Sequence, residues 1–477
     1  MNRRTRLIDM ALVLIIMLLI TCILIVLHNN KEAGIQPLNQ PVDKITVGDH
    51  SSDLLLTEDE MKEDLDYLVA TLQQVHPSLI EGWSEEQTKA IDEVYNLVSK
   101  QPLPAGRFFF LADTIVTQLH DAHTNISPFS ASSASLNLPL YWTPEGPVAL
   151  HSTPELQQGD LLLELGGLTP PQLLNELSKV ISAENDNWVK VMGIPMLASR
   201  AFLDHLNLLE NGQKVKVKVL RDQQTVELNL PLVGRLNNRD MGTPYDYGGS
   251  MYNYAIDERL SLGVLRINTC EVNDAYLQTL TDFFNEIRVK GIKRVAIDLR
   301  NNTGGNSSVV DEFMRYLAVD EYQSYGSFVR FSSQSANTYE GTPNKGTKRH
   351  APAKIPVLEK VEHPFTGDLY VLTSGTTFSS GNWFAVILKD NGLATVIGEP
   401  TGNPPSSYGD ILTFTLPHSG YNFSVSFKQF TRPDIRLNDK TFLSPDITVY
   451  TSRQDIIDGR DAQMEKLKEL IAGESTK

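Results

Sequence analysis

The longest uninterrupted apolar stretch of the chain runs from Met10 to Leu27 and contains no charged residue. A helix of 18 such residues is about long enough to cross the hydrocarbon core of a bilayer. A cleaved signal peptide has a shorter apolar segment and a small-residue exit, whereas this stretch continues into "HNNK". Residues 1–28 are therefore predicted to be an uncleaved signal anchor that enters the lipid bilayer through residues 10–27, in preference to a cleaved signal.

The charges that flank this stretch predict its orientation. Arg3, Arg4 and Arg6 precede it, and only Lys31 closely follows it. The positive-inside rule then keeps the N-terminus cytoplasmic. We therefore expect a single-pass protein of the cell membrane whose C-terminal domains are extracytoplasmic, held on a polar linker over residues 29–56.

Apolar positions at helical spacing begin after this linker. Thr57 and Glu60 have the spacing of a capping box. The apolar residues that follow recur at intervals of four and three: Met61, Leu65, Leu68, Leu72 and Val75. Ser84 and Gln87 suit a second helix start, and "GRFFFLADTIVTQL" predicts a third helix. Residues 57–130 are therefore predicted to form a helical domain.

The apolar pattern changes to a period of two within residues 138–235. The alternating positions are Val215, Val217 and Val219, followed by Val226, Leu228 and Leu230. This alternation predicts a hairpin with one buried face. Upstream, "GDLLLELGGLTPPQLLNEL" predicts a strand, a turn and a helix. That order resembles PDZ-like modules, which bind peptides by strand addition. A purely structural β-subdomain is the alternative.

Buried strands alternate with amphipathic helices through residues 250–452. The predicted strands include "LGVLRIN", "KRVAIDLR", "GDLYVLTS" and "ATVIGEP". This alternation is typical of a layered α/β domain. Residues 322–366 have little pattern and are interpreted as an insertion, and residues 453–477 are assigned to a C-terminal helix or tail.

Composition narrows the classes of function. The 477 residues carry a formal net charge of −16, which argues against a nucleic-acid partner. The chain has two cysteines, and Cys22 lies in the apolar stretch while Cys270 stands alone, so no disulfide framework is implied. His120 and His123 are three positions apart, but two histidines without a third ligand make a weak zinc site. No metal is therefore expected.

Three polar stretches could carry chemistry. "DLRNNTGGN" and "TSGTTFSSGNWFA" each join a predicted strand to a helix, where open α/β sheets place their sites. The first suits an anion near helix N–H groups, and the second could expose a serine hydroxyl. "LHDAHTN" adds a histidine beyond a helix. Taken singly, these stretches are equally compatible with a βα turn, a Ser/Thr helix cap and a structural histidine.

In this order, and together with "GEPTGN" and "LSPDITV", these stretches resemble the C-terminal processing (tail-specific) protease family, and in particular its tricorn-core-like branch. The resemblance covers about residues 57–450. It implies an α/β fold with a ClpP/crotonase-like catalytic domain, a PDZ-like β-subdomain and an N-terminal helical domain. With the apolar stretch, we expect one transmembrane helix to precede them.

The resemblance also implies a nucleophile and an oxyanion hole. Registering the family's Gly-Glu-x-Thr motif on Gly398 to Thr401 makes Ser379 the nucleophile. The backbone N–H of Ser380 would bind the oxyanion. A second N–H would come from Gly304 or Gly305, and Gly304 is the preferred donor.

The proton-transfer residues follow from the same resemblance. "DAHT" matches the histidine motif of the tricorn-like branch and implies His123 as general base, whereas Pro404 stands where the Ser–Lys branch has lysine. Counting back from "LSPDITV" places Asp439 at the branch's carboxylate, where the family has glutamate. Asp434 and Asp410 are the alternatives.

The expected function is a membrane-anchored extracytoplasmic serine endopeptidase that hydrolyses polypeptide substrates through an acyl-enzyme on Ser379. The mechanism requires no metal and no organic cofactor. The alternative is a catalytically inactive member of the same fold that binds peptides or ligands. Acyl-CoA chemistry is a third option, disfavoured because a basic patch for the phosphates is absent. The discriminating feature is whether His123 reaches Ser379.

Overall fold

A computed structural model describes residues 54–127, 134–234, 243–245, 249–437 and 440–474. The α-helices of these residues are α1 (Glu58–Val75), α2 (Glu85–Val98), α3 (Ala105–Val116), α4 (Pro170–Ser178), α5 (Asp186–Ala198), α6 (Arg200–His205), α7 (Asp274–Val289), α8 (Ser308–Met314), α9 (Ser333–Thr338), α10 (Ser380–Asp390), α11 (Arg453–Asp458) and α12 (Ala462–Glu474).

The first half of the described chain contains nine strands. They are β1 (Leu55–Leu56), β2 (Leu103–Pro104), β3 (Asn125–Ile126), β4 (Ser135–Leu136), β5 (Leu140–Thr143), β6 (Gly146–Ala149), β7 (Leu161–Leu165), β8 (Lys214–Arg221) and β9 (Gln224–Val233). The second half contributes β10 (Tyr252–Asp257), β11 (Leu262–Ile267), β12 (Arg294–Asp298), β13 (Glu321–Ser324), β14 (Gly326–Phe331), β15 (Gly346–His350), β16 (Ala353–Pro356), β17 (Asp368–Thr373), β18 (Ala394–Gly398), β19 (Tyr408–Thr415), β20 (Asn422–Thr431) and β21 (Ile447–Thr448).

The predicted N-terminal helices are present. Thr57 caps α1: its backbone N–H donates to Glu60 at 2.8 Å, and its hydroxyl accepts from the Glu60 N–H at 3.3 Å, which completes the capping box. The predicted apolar face of α1 is buried. Helix α3 ends at Val116 and continues as a 3₁₀ turn over Thr117–Leu119. The chain then leaves helical geometry before it reaches "DAHT".

The predicted hairpin lies in a six-stranded antiparallel sheet. Its strand order is β4-β9-β8-β7-β6-β5. Residues of β8 and β9 pair along their length, with Val217 opposite Leu228. The alternating valines of β8 are buried, as the period of two requires. Helices α4 and α5 contact this sheet through β7 and β5.

The C-terminal half is built on a second six-stranded sheet, in the order β10-β11-β12-β17-β18-β21. Strand β10 is antiparallel to β11, and the remaining neighbours are parallel. The parallel strands are almost continuously apolar because both faces are covered, by α7, α8 and α10 on one side and α12 on the other. The carboxyl ends of β12 and β17 are neighbours, so the turns that follow them meet at one edge. The predicted mixed α/β architecture is therefore confirmed.

The segment interpreted as a patternless insertion has more structure than predicted. Strands β13 and β16 pair antiparallel, and β14 pairs with β20 in a sheet ordered β15-β14-β20-β19. These strands are short and their partners are distant in sequence, so local periodicity does not reveal them. Residues Phe331–Gly346 form a separate unit from the other described residues. That unit contains α9, where the Ser332 hydroxyl accepts the Ser335 N–H at 3.1 Å.

Within the ranges given above, no helix combines the length and the apolar character needed to span a membrane. The predicted anchor, residues 10–27, lies outside the described residues.

Candidate active site

Ser379 occupies a strained turn between β17 and α10. Its backbone has φ 51° and ψ −124°, a region that non-glycine residues rarely adopt. Its N–H donates to Oδ1 of Asn403 at 2.9 Å, and its carbonyl accepts from Trp383 at 2.8 Å as the helix begins. This geometry exposes the hydroxyl at the strand end, as in other strand-to-helix nucleophile turns.

The other hydroxyls of the same turn hold the backbone in place. Ser374 donates to the Arg300 carbonyl at 2.5 Å, and Thr377 donates to the Leu299 carbonyl at 2.8 Å. Phe378 N–H donates to the Asn302 carbonyl at 2.9 Å. The turn after β17 is thereby fixed against the turn after β12.

His123 reaches this turn from the helical region. The Ser424 hydroxyl donates to the His123 carbonyl at 2.7 Å, and β3, which begins two residues later, pairs with β20. Nε2 of His123 lies 2.9 Å from Oγ of Ser379. One face of the imidazole stacks on Phe378, with ring centroids 4.6 Å apart. The histidine and the serine named from the sequence are therefore in hydrogen-bond contact.

The glycine pair after β12 lies beside the nucleophile. Gly304 and Gly305 have φ of 105° and 133°. A Cβ on Gly304 would lie 2.5 Å from the Cβ of Ser379, and one on Gly305 would lie 2.1 Å from the Cys270 carbonyl oxygen. Neither position can accept a side chain without displacing its neighbours. The Ser380 hydroxyl also donates to the Gly305 carbonyl at 2.7 Å, which joins the two turns.

The preference for Gly304 as an oxyanion donor needs correction. Its N–H already donates to Oδ1 of Asn302 at 2.8 Å. Within the described ranges, the N–H groups of Gly305 and Ser380 have no acceptor. The geometry therefore favours Gly305 over Gly304, while Ser380 keeps the role expected from the sequence.

Two carboxylates lie close to the His123 ring. Oδ1 of Asp121 is 3.7 Å from Nδ1 of His123. Glu184, from the segment between α4 and α5, accepts the Ala122 N–H at 3.3 Å. One ligating atom from each of the three side chains lies within 4.8 Å of the others. The sequence analysis named neither carboxylate, although Asp121 belongs to the quoted "DAHT". Glu184 had no local signal, since it adjoins no motif.

These neighbours shift the proton affinities. Burial lowers the pKa of His123, but the carboxylates of Asp121, Glu184 and Asp410 outweigh it, so the pKa is raised above 6.5. Burial and the adjacent Asp121 charge raise the pKa of Glu184 to about 7. For Asp121, burial opposes ionisation, but the neighbouring His123 and His76 hold its pKa well below 3.8. Asp121 is thus the ionised partner.

Of the carboxylates proposed from the sequence, the two that the structure describes, Asp434 and Asp410, form ion pairs with other residues. Asp439 lies outside the described residues. Asp434 forms an ion pair with the exposed Arg436 at 2.8 Å. Asp410 pairs with Lys428 at 2.5 Å and acts on His123 only through its charge.

The donors around His123 do not form a ready metal site. Both oxygens of Asp121 already accept hydrogen bonds, from His76, Thr124 and the His123 backbone. Nε2 of His123 faces a serine hydroxyl. We therefore assign no metal to this group.

A cavity of about 410 Å³ lies next to the nucleophile turn. Gly375 and Thr376, just ahead of Ser379, form part of its wall. Much of the remaining lining is apolar, including Val191 and Ile194 of α5 and Trp142 of β5. The cavity can accommodate an apolar group next to the turn that carries Ser379.

Acyl transfer requires an exposed hydroxyl with a histidine at hydrogen-bond distance, and Ser379 and His123 provide both. The fold and this site together define a serine-type hydrolase on an α/β scaffold. Residues 261–449 match the sequence model of peptidase family S41. This match supports a serine peptidase of the tail-specific protease type. No curated protein sequence is significantly similar to it.

Several solved structures are similar to the chain. Mature CPAF complexed with lactacystin is similar with a TM-score of 0.65 and 16% identity, covering 87% of this chain and 98% of that chain. The crystal structure of mature CPAF has a TM-score of 0.64 and 17% identity, with coverages of 87% and 97%. The photosystem II D1 C-terminal processing protease has a TM-score of 0.44 and 14% identity, with coverages of 86% and 97%. At these identities the two CPAF structures bear on the fold alone.

Proposed function

We propose that this protein is a membrane-anchored, extracytoplasmic serine endopeptidase that cleaves polypeptides through an acyl-enzyme on Ser379. The observation that carries the proposal is the 2.9 Å contact between Nε2 of His123 and Oγ of Ser379. A general base must lie within hydrogen-bond reach of the proton that it removes. This pair satisfies that condition.

His123 acts as base and then as acid. It takes the proton from Ser379 as Oγ attacks the peptide carbonyl carbon, and the carbonyl oxygen becomes an oxyanion. The N–H groups of Ser380 and Gly305 stabilise that charge. The protonated imidazole then gives its proton to the leaving amine as the C–N bond breaks. His123 then deprotonates a water molecule, which attacks the ester carbonyl carbon; the bond from that carbon to Oγ breaks, the acid product leaves, and His123 returns the proton to Ser379.

The geometry of Ser379 and His123 disfavours the alternative of an inactive peptide-binding member. A binding module needs neither a strained Ser379 nor a histidine in contact with its hydroxyl. Strain of about 1–3 kcal/mol at a single residue persists only where the surroundings hold it in place. Here the Asn403 side chain and the two interlocked turns do so.

The cavity beside the nucleophile turn supports a preference for apolar substrate side chains. Its wall includes Val191 and Ile194, and burying an apolar side chain there contributes about 1.5–3 kcal/mol to binding. A peptide with leucine next to the cleaved bond should therefore have a higher kcat/KM than the same peptide with aspartate. Equal values would contradict this assignment.

The membrane location rests on the sequence. Residues 10–27 are uncharged and apolar, and arginines are concentrated ahead of them. The cytoplasmic leaflet is rich in anionic lipids, which would repel domains of net charge −16. This charge therefore suits domains on the other side of the membrane. The proposed substrates are therefore extracytoplasmic polypeptides.

A fluorophosphonate probe tests the nucleophile directly. The full chain should be labelled and should hydrolyse peptides, and Ser379→Ala should abolish both. Ser374→Ala is the matched control, because Ser374 lies in the same turn and its hydroxyl bonds only backbone groups, the Arg300 carbonyl and the Thr376 N–H. That variant should be less stable by about 1 kcal/mol and still be labelled. A wild-type chain that is neither labelled nor active would favour the binding-module alternative.

A further inference from the structure

We infer that Glu184 is the positioning residue for His123, and that its carboxylate supports the Nδ1 side of the ring during proton transfer. The inference rests on the proposed function. The carboxylate that orients the His123 ring then comes from the β-subdomain rather than from the stretch that contains Asp439. The catalytic site would then combine side chains from three regions: His123, Ser379 and Glu184.

The tautomer of His123 creates a need for an acceptor. Nε2 must be unprotonated to accept the Ser379 proton, so the ring hydrogen resides on Nδ1. Nδ1 is buried and has no hydrogen-bond partner among the described residues. A buried N–H without an acceptor costs about 1–3 kcal/mol. An acceptor on that side would remove this cost and stabilise the imidazolium that forms in the transition state.

Asp121 is nearer to His123 in sequence, but both of its carboxylate oxygens already accept hydrogen bonds from other groups. Its Oδ1 accepts the His123 backbone N–H at 3.0 Å. Its Oδ2 accepts from Thr124 at 2.6 Å and lies 3.2 Å from Nε2 of His76. These contacts hold the carboxylate 3.7 Å from Nδ1, which is too far for a hydrogen bond. Asp121 therefore fixes the shape of the "DAHT" turn.

Glu184 has an acceptor oxygen for which the described residues supply no hydrogen-bond donor. One of its oxygens accepts the Ala122 N–H, and the other, Oε1, is buried without a hydrogen-bond partner among the described residues. Glu184 and His123 thus leave one acceptor and one donor unpaired in the same small cluster. A rotation of the glutamate side chain, or one bridging water molecule, connects two groups at this separation.

The segment that carries Glu184 is fastened to the site on both sides. The Ser182 hydroxyl donates to the Asp121 carbonyl at 2.7 Å. Trp188, four residues after Glu184, stacks on Phe378 with centroids 3.8 Å apart, and Phe378 stacks on His123. These contacts fix the plane of the imidazole and the backbone of residues 182–188 relative to each other. The glutamate is consequently held beside the histidine and does not depend on a mobile loop.

Several charged groups act on this cluster. Asp121 and Glu184 face His123 from the helical region and the β-subdomain, and Asp410 acts on it from β19. His76 contacts Asp121, and Tyr408 of β19 lies within electrostatic range of both carboxylates. Because Glu184 raises the pKa of His123, neutralising it lowers that pKa. The acid limb of a kcat/KM profile then moves to lower pH.

The test compares Glu184→Gln with the wild-type full chain. We expect kcat to fall about 10- to 100-fold with KM unchanged, and the acid limb to move to lower pH. Glu184→Asp should restore part of kcat and return the limb toward wild type. Glu176→Gln is the matched control, because this α4 residue pairs with the exposed Lys179 and is remote from the cluster. Active sites are counted with a fluorophosphonate so that misfolded protein does not enter kcat.

Two results would overturn the inference. The first is a Glu184→Gln variant with wild-type kcat, or with reduced kcat and an unmoved acid limb. The second is an acid limb of the kcat/KM profile that moves to lower pH in Asp439→Asn but does not move in Glu184→Gln. Both require an active wild-type enzyme, whose absence would instead refute the proposed function.

A spectroscopic measurement is independent of turnover. In the Ser379→Ala chain labelled with ¹³C-histidine, the His123 signal is assigned by its loss in Ser379→Ala/His123→Asn. Its titration midpoint should move to lower pH when Glu184→Gln is added. An unchanged midpoint would show that the glutamate does not face the ring, whatever the catalytic activity.

Discussion

Nε2 of His123 lies 2.9 Å from Oγ of Ser379, although the two residues are 256 positions apart in the chain. The contact is maintained by a second connection between the same regions, in which β3 pairs with β20 and Ser424 binds the His123 carbonyl. The base therefore needs no domain closure to reach the nucleophile.

Replacing His123 should remove nearly all turnover. His123→Asn should lower kcat/KM about 10³-fold or more, because the serine then loses its proton acceptor. His120→Asn is the matched control: His120 is exposed with φ 48°, and asparagine tolerates that conformation. Peptide hydrolysis and circular dichroism of both variants check the expectation. Wild-type activity in His123→Asn would rule it out as the base.

A methyl group on the glycine pair should damage the oxyanion hole. In Gly305→Ala the new Cβ would lie 2.1 Å from the Cys270 carbonyl oxygen, so the loop must shift and its N–H leaves position. We expect kcat to fall about 10²–10³-fold.

A different glycine provides the control for that variant. Gly212 has φ 66° and no atom near an added Cβ, so Gly212→Ala should lose about 1–2 kcal/mol of stability and no activity. Thermal unfolding and steady-state kinetics measure both effects. Equal kinetic losses in the two variants would remove Gly305 from the site.

Activity should rise with pH through the titration of His123. The base works only when neutral, so protonation abolishes turnover at low pH. Burial alone would put the pKa below 6.5, but Asp121, Glu184 and Asp410 raise it above that value. The acid limb of kcat/KM should therefore have its midpoint above pH 6.5. A midpoint well below 6.5 would mean that desolvation outweighs the three carboxylates.

The N-terminal apolar stretch should hold the protein in membranes. The full chain should sediment with membranes and resist extraction by high salt, whereas a chain starting at residue 29 should stay in the aqueous fraction. Trypsin added to intact cells should digest the C-terminal domains of the anchored form. Recovery of the full chain in the aqueous fraction, or protection from trypsin, would contradict the proposed anchoring and orientation respectively.

Local patterns were sufficient for the elements around the site. The capping box of Thr57, the hairpin β8–β9 and the strand-to-helix turns at β12 and β17 follow from spacings of a few residues. The short strands β13 and β16 do not, because their pairing is non-local. The ordered motifs likewise indicated Ser379 and His123, since each motif is continuous in sequence.

The sequence by itself determined the class of protein, the proposed nucleophile and the proposed base. Only the tertiary structure showed that the Gly304 N–H donates to Asn302. It also showed that Glu184, 61 residues from His123 in the chain, lies beside the His123 ring. The reason is physical. Helix caps, strands and motif turns are set by neighbours along the chain, whereas the partner of a donor or a carboxylate is set by packing between segments that sequence spacing does not relate.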